Sequence, residues 1–203
     1  MPADLEARSY AHVAKPMRPP TRFTLRGDTL AIDDGPRETI VPLAAIEAIR
    51  LTVEIRNTLT RSFRTSLRIE GKGALSFNNS SWRRLADIET HDEAYSAFVA
   101  DLVRSAAGHN PALRLEAGQM PLRWWGFVVL ALLTGVGVAA LTARALGAGA
   151  LPFAALLLVF ALGFGWLLAD VGRRNRPRAF TPDALPPDLL PAPAPPSSPA
   201  RPA

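Results

Sequence analysis

The chain has no cysteine, and only two lysines, two tyrosines and three histidines among its 203 residues. Without cysteine there is no disulfide, no thiolate nucleophile and no Cys-ligated metal, and the redox compartment is left open. His12, His91 and His109 stand in a tail, beside a helix start and after a helix end. No two of them make the H-x3-H pair that helical metal sites use, so no metal is expected. A nucleophile elbow and a Gly-rich phosphate loop are also missing. The adjacent carboxylates Asp33-Asp34 fall in a turn sequence, where aspartate serves the backbone. The reading is therefore non-enzymatic, with no catalytic residues and no cofactor. Of the 23 basic residues 21 are arginine, a bias that a GC-rich genome produces, and the net charge of +5 is mild. No zinc-finger spacing, RNP-like motif or long basic run points to a nucleic-acid partner.

Charge is scarce in one long stretch. Residues 124–169 carry a single ionisable side chain, Arg144, in 46 positions. As one helix they would extend about 69 Å, roughly twice the hydrocarbon thickness of a bilayer. Two spans joined by a tight turn fit where one does not. Arg144 and Gly147-Ala148-Gly149 mark the turn, and Pro152 suits the first turn of a second helix. Transmembrane helices are expected at residues 124–143 and 150–170, with the turn at 144–149. An N-terminal signal peptide is not expected, because residues 1–20 have no apolar segment.

Arginine placement sets the orientation. Arg173, Arg174, Arg176 and Arg178 follow the second span and Arg123 precedes the first, whereas the turn carries only Arg144. Positive charge favours the cytoplasmic side, which predicts an integral membrane protein with both termini cytoplasmic. Trp124, Trp125 and Trp166 fall near the same interface. Neither span has an ionisable residue in its middle, which argues against a transporter or channel. Gly135 with Ala139, and Ala161 with Gly165, have helix-packing spacing and are expected to close the hairpin on itself.

Residues 21–117 read as a soluble domain. Phe23 and Leu25, then Leu30 and Ile32, alternate with polar residues across the turn Gly27-Asp28. Asp33-Asp34-Gly35-Pro36 makes a second turn before Thr39-Ile40-Val41. Ile49, Leu51, Val53 and Ile55 form the longest alternation, followed by Phe63, Leu67 and Ile69 and then by Leu75 and Phe77. This is an antiparallel meander of about six or seven strands with one buried face. Period 3.6 takes over in residues 91–107, where Tyr95, Phe98, Val99, Leu102 and Ala106 make one stripe. Thr90-His91-Asp92-Glu93 fits a capping box, and Gly108 with Asn110-Pro111 ends the helix. The class is α+β with segregated elements.

The strand series from Phe23 to Phe77 and the closing helix from Asp92 to Ala107 resemble the pleckstrin-homology-like (PH-like) superfold, as found in bacterial membrane proteins that pair it with transmembrane helices. The resemblance implies a β-barrel or curled sheet closed by its C-terminal helix, and a binding role. In lipid-binding members basic residues cluster between the first two strands. Here that link is Arg26-Gly27-Asp28, so no phosphoinositide site is carried over.

Two further groups are candidates for contact. Arg50, Arg56, Arg64 and Arg68 alternate with inward residues and should share an outer face. With Arg173 and Arg174 they are the candidate contacts for anionic headgroups or a protein partner. Residues 1–20 read as a flexible lead-in, and residues 171–203 as an Arg-rich then Pro/Ala-rich, disordered tail holding ten of the nineteen prolines. Phe180, Leu185, Leu189 and Leu190 are unneeded in a solvated tail and are candidates for docking. The leading expectation is a membrane-anchored binding module with the bilayer, and a protein partner or a second copy, as its contacts. The alternative is a structural accessory or assembly subunit of a larger membrane complex.

Overall fold

The structure, a computed structural model, describes residues 8–13, 19–55, 61–82 and 88–191. It divides into two compact units. One holds the described residues up to Ala117 and those from Ala179 onward; the other is Gly118–Arg178.

In the first unit β1 (Ser9–His12), β2 (Thr21–Arg26), β3 (Thr29–Asp33) and β4 (Glu38–Pro42) form a four-stranded antiparallel meander. Two turns set its register. Gly27 supplies the positive φ of 58° between β2 and β3, which opposes Phe23 to Ile32 and Leu25 to Leu30. Between β3 and β4, Asp33 Oδ1 accepts from Gly35 N (2.9 Å) and Asp34 Oδ1 from Arg37 N (3.1 Å). The paired carboxylates thus hold a turn.

A second sheet contains β5 (Ile46–Ile55), β6 (Arg61–Ile69), β7 (Gly73–Asn78), β10 (Arg114–Ala117) and β11 (Arg178–Ala179), in the order β11-β10-β5-β6-β7. Here β10 runs parallel to β5. Between them in sequence come the short antiparallel pair β8 (Ser80–Trp82) and β9 (Ile88–Thr90), then α1 (Asp92–His109). The inward row Ile49, Leu51, Val53 and Leu67 meets Phe23, Leu30 and Val41 of the meander and Phe98, Val99 and Leu102 of α1 in one hydrophobic core. An aromatic group fills its centre, with the Phe23 and Phe77 rings 4.7 Å apart and Tyr10 edge-on to Tyr95 at 5.7 Å. Each such ring contributes about 1.5–3 kcal/mol by burial. The buried hydroxyls of Tyr95 and Thr65 are joined at 2.7 Å, so neither group is stranded in apolar surroundings.

Several expectations need correction. The sheets are not closed into a barrel, and the described residues contain eleven strands, not six or seven. The additional strands are two to four residues long, too short to show a period. The lead-in contains β1, whose Tyr10 and His12 are buried. No capping box forms at α1, because Thr90 pairs with Ser80 in the β8–β9 ladder. Asn79 acts instead: its carbonyl accepts from His91 N (2.8 Å) and its Nδ2 donates to Asp92 Oδ1 (2.6 Å). At the other end α1 runs past Gly108 to His109. Asn110 then donates Nδ2 to Ile46 O and accepts from Ala112 N, both at 2.9 Å, fixing the chain for β10.

The second unit is a helical hairpin, α2 (Pro121–Gly147) and α3 (Leu151–Arg174). Proline opens each helix within its first two residues, where the missing N–H costs nothing. Gly149, at φ 75°, turns the chain between them. Both helices exceed the residues expected from charge alone: each adds about a turn at the open end, and α2 continues through residues 144–147 of the expected turn 144–149, so that the link between the helices is only residues 148–150.

Candidate functional site

Both hairpin helices, at 27 and 24 residues, are long and apolar enough to cross a membrane, with an 18-residue stretch of mean hydropathy 2.2 in the first and 2.3 in the second. Their two threonine hydroxyls are satisfied within the helix. Thr134 and Thr142 donate to Leu130 O (2.9 Å) and Val138 O (2.8 Å), the bond that lets a hydroxyl sit in hydrocarbon. Large side chains such as Leu130, Leu133, Leu156 and Phe160 point outward and are more than half exposed. A soluble hairpin would leave that surface in water, whereas a bilayer covers it.

The open end of the hairpin is the most constrained part of this unit. Gly118 has φ +80°, and a Cβ there would lie 2.5 Å from the carbonyl oxygens of Asn175 and Arg176. Gln119 N donates to Asn175 O (3.0 Å), and the Trp124 indole donates Nε1 to Gly172 O (2.9 Å). Asp170 is buried, and both its oxygens accept from Arg174 Nε at 3.1 Å. Arg174 is therefore engaged in an ion pair. Arg173 and Arg176 are exposed and form no ion pair among the described residues.

The small-residue spacing does not mark the seam between the helices. Gly135 and Ala139 are exposed, and a Cβ at Gly135 or at Gly165 would meet nothing within 4 Å. Close approach occurs at Gly172, where a Cβ would lie 3.2 Å from the Phe127 ring, and near the turn, where Ala145 and Ala154 are buried. In a run so rich in alanine and glycine the spacing follows from composition.

On the second sheet the register sets Arg50 beside Glu116 of β10, and Arg64 beside Thr52 of β5. Arg50 forms an ion pair with Glu116, and Arg64 Nη1 lies 2.7 Å from Glu54. Two of the arginines expected to meet headgroups thus carry their own carboxylates. Arg68, exposed between Ala48 and Ala74, has no ion pair among the described residues. Arg56 lies outside the described residues.

The tail candidates are packed. Leu189, in a short 3-10 turn at Pro187–Leu189, is fully buried in the core of the first unit, and Phe180, Leu185 and Leu190 pack against that core. Phe180 N donates to Leu115 O at 3.2 Å, which starts the docking. The chain therefore leaves this unit at Ala117 and rejoins it at Ala179.

Sequence reading missed His12. It is 4 % exposed, stacked between Tyr10 and Phe23 with ring centroids 6.2 and 5.9 Å away. Burial lowers its pKa to about 4. Its Nδ1 has no hydrogen-bond partner among the described residues. Burial likewise raises the Tyr10 and Tyr95 hydroxyls, so both remain protonated, and Tyr10 donates to Asn78 O at 2.6 Å. No group of three metal-ligating side chains occurs among the described residues. No protein-family model, curated protein or solved structure matches the chain. The functional argument therefore rests on geometry.

Proposed function

We propose that the protein is a non-catalytic binding module, related in design to PH-like domains, that is anchored in the bacterial inner membrane with both termini cytoplasmic. The observation that carries this reading is the position of the hairpin in the chain. The apolar helices interrupt a single folded unit, whose core takes Leu115 and Ala117 from before them and Leu189 from after them. An insertion of this kind tethers the unit through two connections. Charge supports the orientation: Arg123, Arg173, Arg174 and Arg176 lie at the open end, against Arg144 at the turn. With Arg50 and Arg64 neutralised on the sheet, attraction to anionic headgroups falls mainly to the arginines at the hairpin base.

A second reading, an accessory or assembly subunit, is favoured by the outward placement of Gly135 and Ala139, which would let another helix approach closely. One preparation tests both. After alkaline carbonate extraction the full chain should stay with the membrane, and release into the supernatant overturns the anchor. Purification in mild detergent should then give a monomer or homo-oligomer by sizing. A second, defined polypeptide at fixed stoichiometry would replace the module with the accessory subunit.

A further inference from the structure

Between α2 and α3, on the side of the open end, lies a groove of about 490 Å³. Ala131, Gly165 and Ala169 form its floor, and Phe127 forms one wall. The Phe127 ring closes the seam against Gly172, whereas two turns deeper a Cβ at Gly165 would meet nothing within 4 Å. The groove also borders Arg173 and Arg176, and the hydrogen bond from Trp124 to Gly172 holds its mouth in shape.

We propose that this groove holds one anionic phospholipid, with an acyl chain along the floor and the phosphodiester against Arg173 and Arg176. The inference rests on the hairpin spanning the membrane. In a bilayer an apolar cleft of this size is filled, because an empty one forfeits dispersion contacts along its whole lining. Its volume matches a site for one small molecule. Charge decides which lipid fills it. Arg174 is already paired with Asp170, but Arg173 and Arg176 bring two guanidinium groups with no carboxylate partner among the described residues. Guanidinium forks bind phosphate oxygens in pairs, and basic pockets at the cytoplasmic ends of transmembrane helices take anionic headgroups. A zwitterionic lipid would bring its own cation to the same place.

Native mass spectrometry of the delipidated full chain, reloaded with either phosphatidylglycerol or phosphatidylcholine, tests the site. One phosphatidylglycerol should be retained per chain, in clear preference to phosphatidylcholine. Each arginine near the surface is worth about a fivefold change in affinity, so Arg173→Gln with Arg176→Gln should weaken phosphatidylglycerol about thirtyfold. The same pair of changes should weaken phosphatidylcholine far less, because its choline cation already offsets the attraction of its phosphate to the arginines. Gly165→Leu fills the floor without a backbone clash and should weaken both lipids, while Arg144→Gln at the turn should weaken neither. Equal retention of the two lipids overturns the proposal, as does an equal effect of Arg144→Gln. Failure of the spanning reading shows separately, as release of the chain by carbonate.

Discussion

His12 shows what one buried side chain does to the pH response of the whole unit. Its ring lies between Tyr10 and Phe23 with an unpartnered Nδ1, so the folded state resists its protonation and its pKa is about 4. In the unfolded chain the imidazole returns to about 6.5. Between these values the unfolded state binds more protons than the folded one, and stability falls as the pH falls. The contribution is fully present above about pH 6.5 and is lost toward pH 4, with a slope of up to about 1.4 kcal/mol per pH unit. Urea midpoints of the detergent-solubilised chain, followed by near-UV circular dichroism from pH 7.5 to 4.5, should show this loss. His12→Phe keeps a flat ring in the stack and binds no proton, so its profile should be flatter. Parallel profiles for the two proteins would remove His12 as the cause. Nothing in residues 9–12 announces this role, since one Tyr-Ala-His triplet is too short to show alternation.

Among the elements, the short turn at Pro187–Leu189 joins the core through one residue. Leu189 is as buried as Ile49 or Leu67, although the whole hairpin separates it from them in sequence. Leu189→Ala should cost the sheet unit about 2–5 kcal/mol, the range for a core leucine. Leu162→Ala, on an outward face of α3 at 67 % exposure, should change the same urea midpoint little. Equal effects would mean that the tail does not share the core. The contrast shows what a sequence can reveal. The strands β5 and β6 are ten and nine residues long and repeat their inward side chains often enough to be read, and so does α1. Leu189 stood out as apolar among prolines, but an isolated leucine has no period and so no direction. The ion pairs of Arg50 and Arg64 were hidden for a related reason. Alternation gives the face of a strand, whereas pairing depends on which strand lies alongside, and β10 reaches β5 only after α1. Gly118 is a single glycine in the sequence, and its need for one becomes visible only with the carbonyls of Asn175 and Arg176 beside it.

At the scale of the whole molecule the shared core restricts topology more strictly than charge does. Because one folded unit holds the chain both before and after the hairpin, residues 28 and 183 must lie on the same side of the membrane whichever way the protein inserts. The proposed cytoplasmic side rests on arginine bias. The lack of cysteine makes this measurable, since each introduced thiol is the only one. Asp28→Cys lies in the β2–β3 turn, Asp183→Cys in the tail and Ala148→Cys between α2 and α3, and all three positions are exposed. A membrane-impermeant maleimide added to spheroplasts should label only Ala148→Cys, and in inside-out vesicles it should label only the other two. Labelling of Asp28→Cys and Asp183→Cys from opposite sides would break the shared core, because Leu189 could not then reach Ile49. Labelling of both from the outside would keep the fold and reverse the insertion. That outcome would set Arg123, Arg173 and Arg176 against the leaflet poorer in anionic lipid, and the proposed lipid site would lose its electrostatic basis.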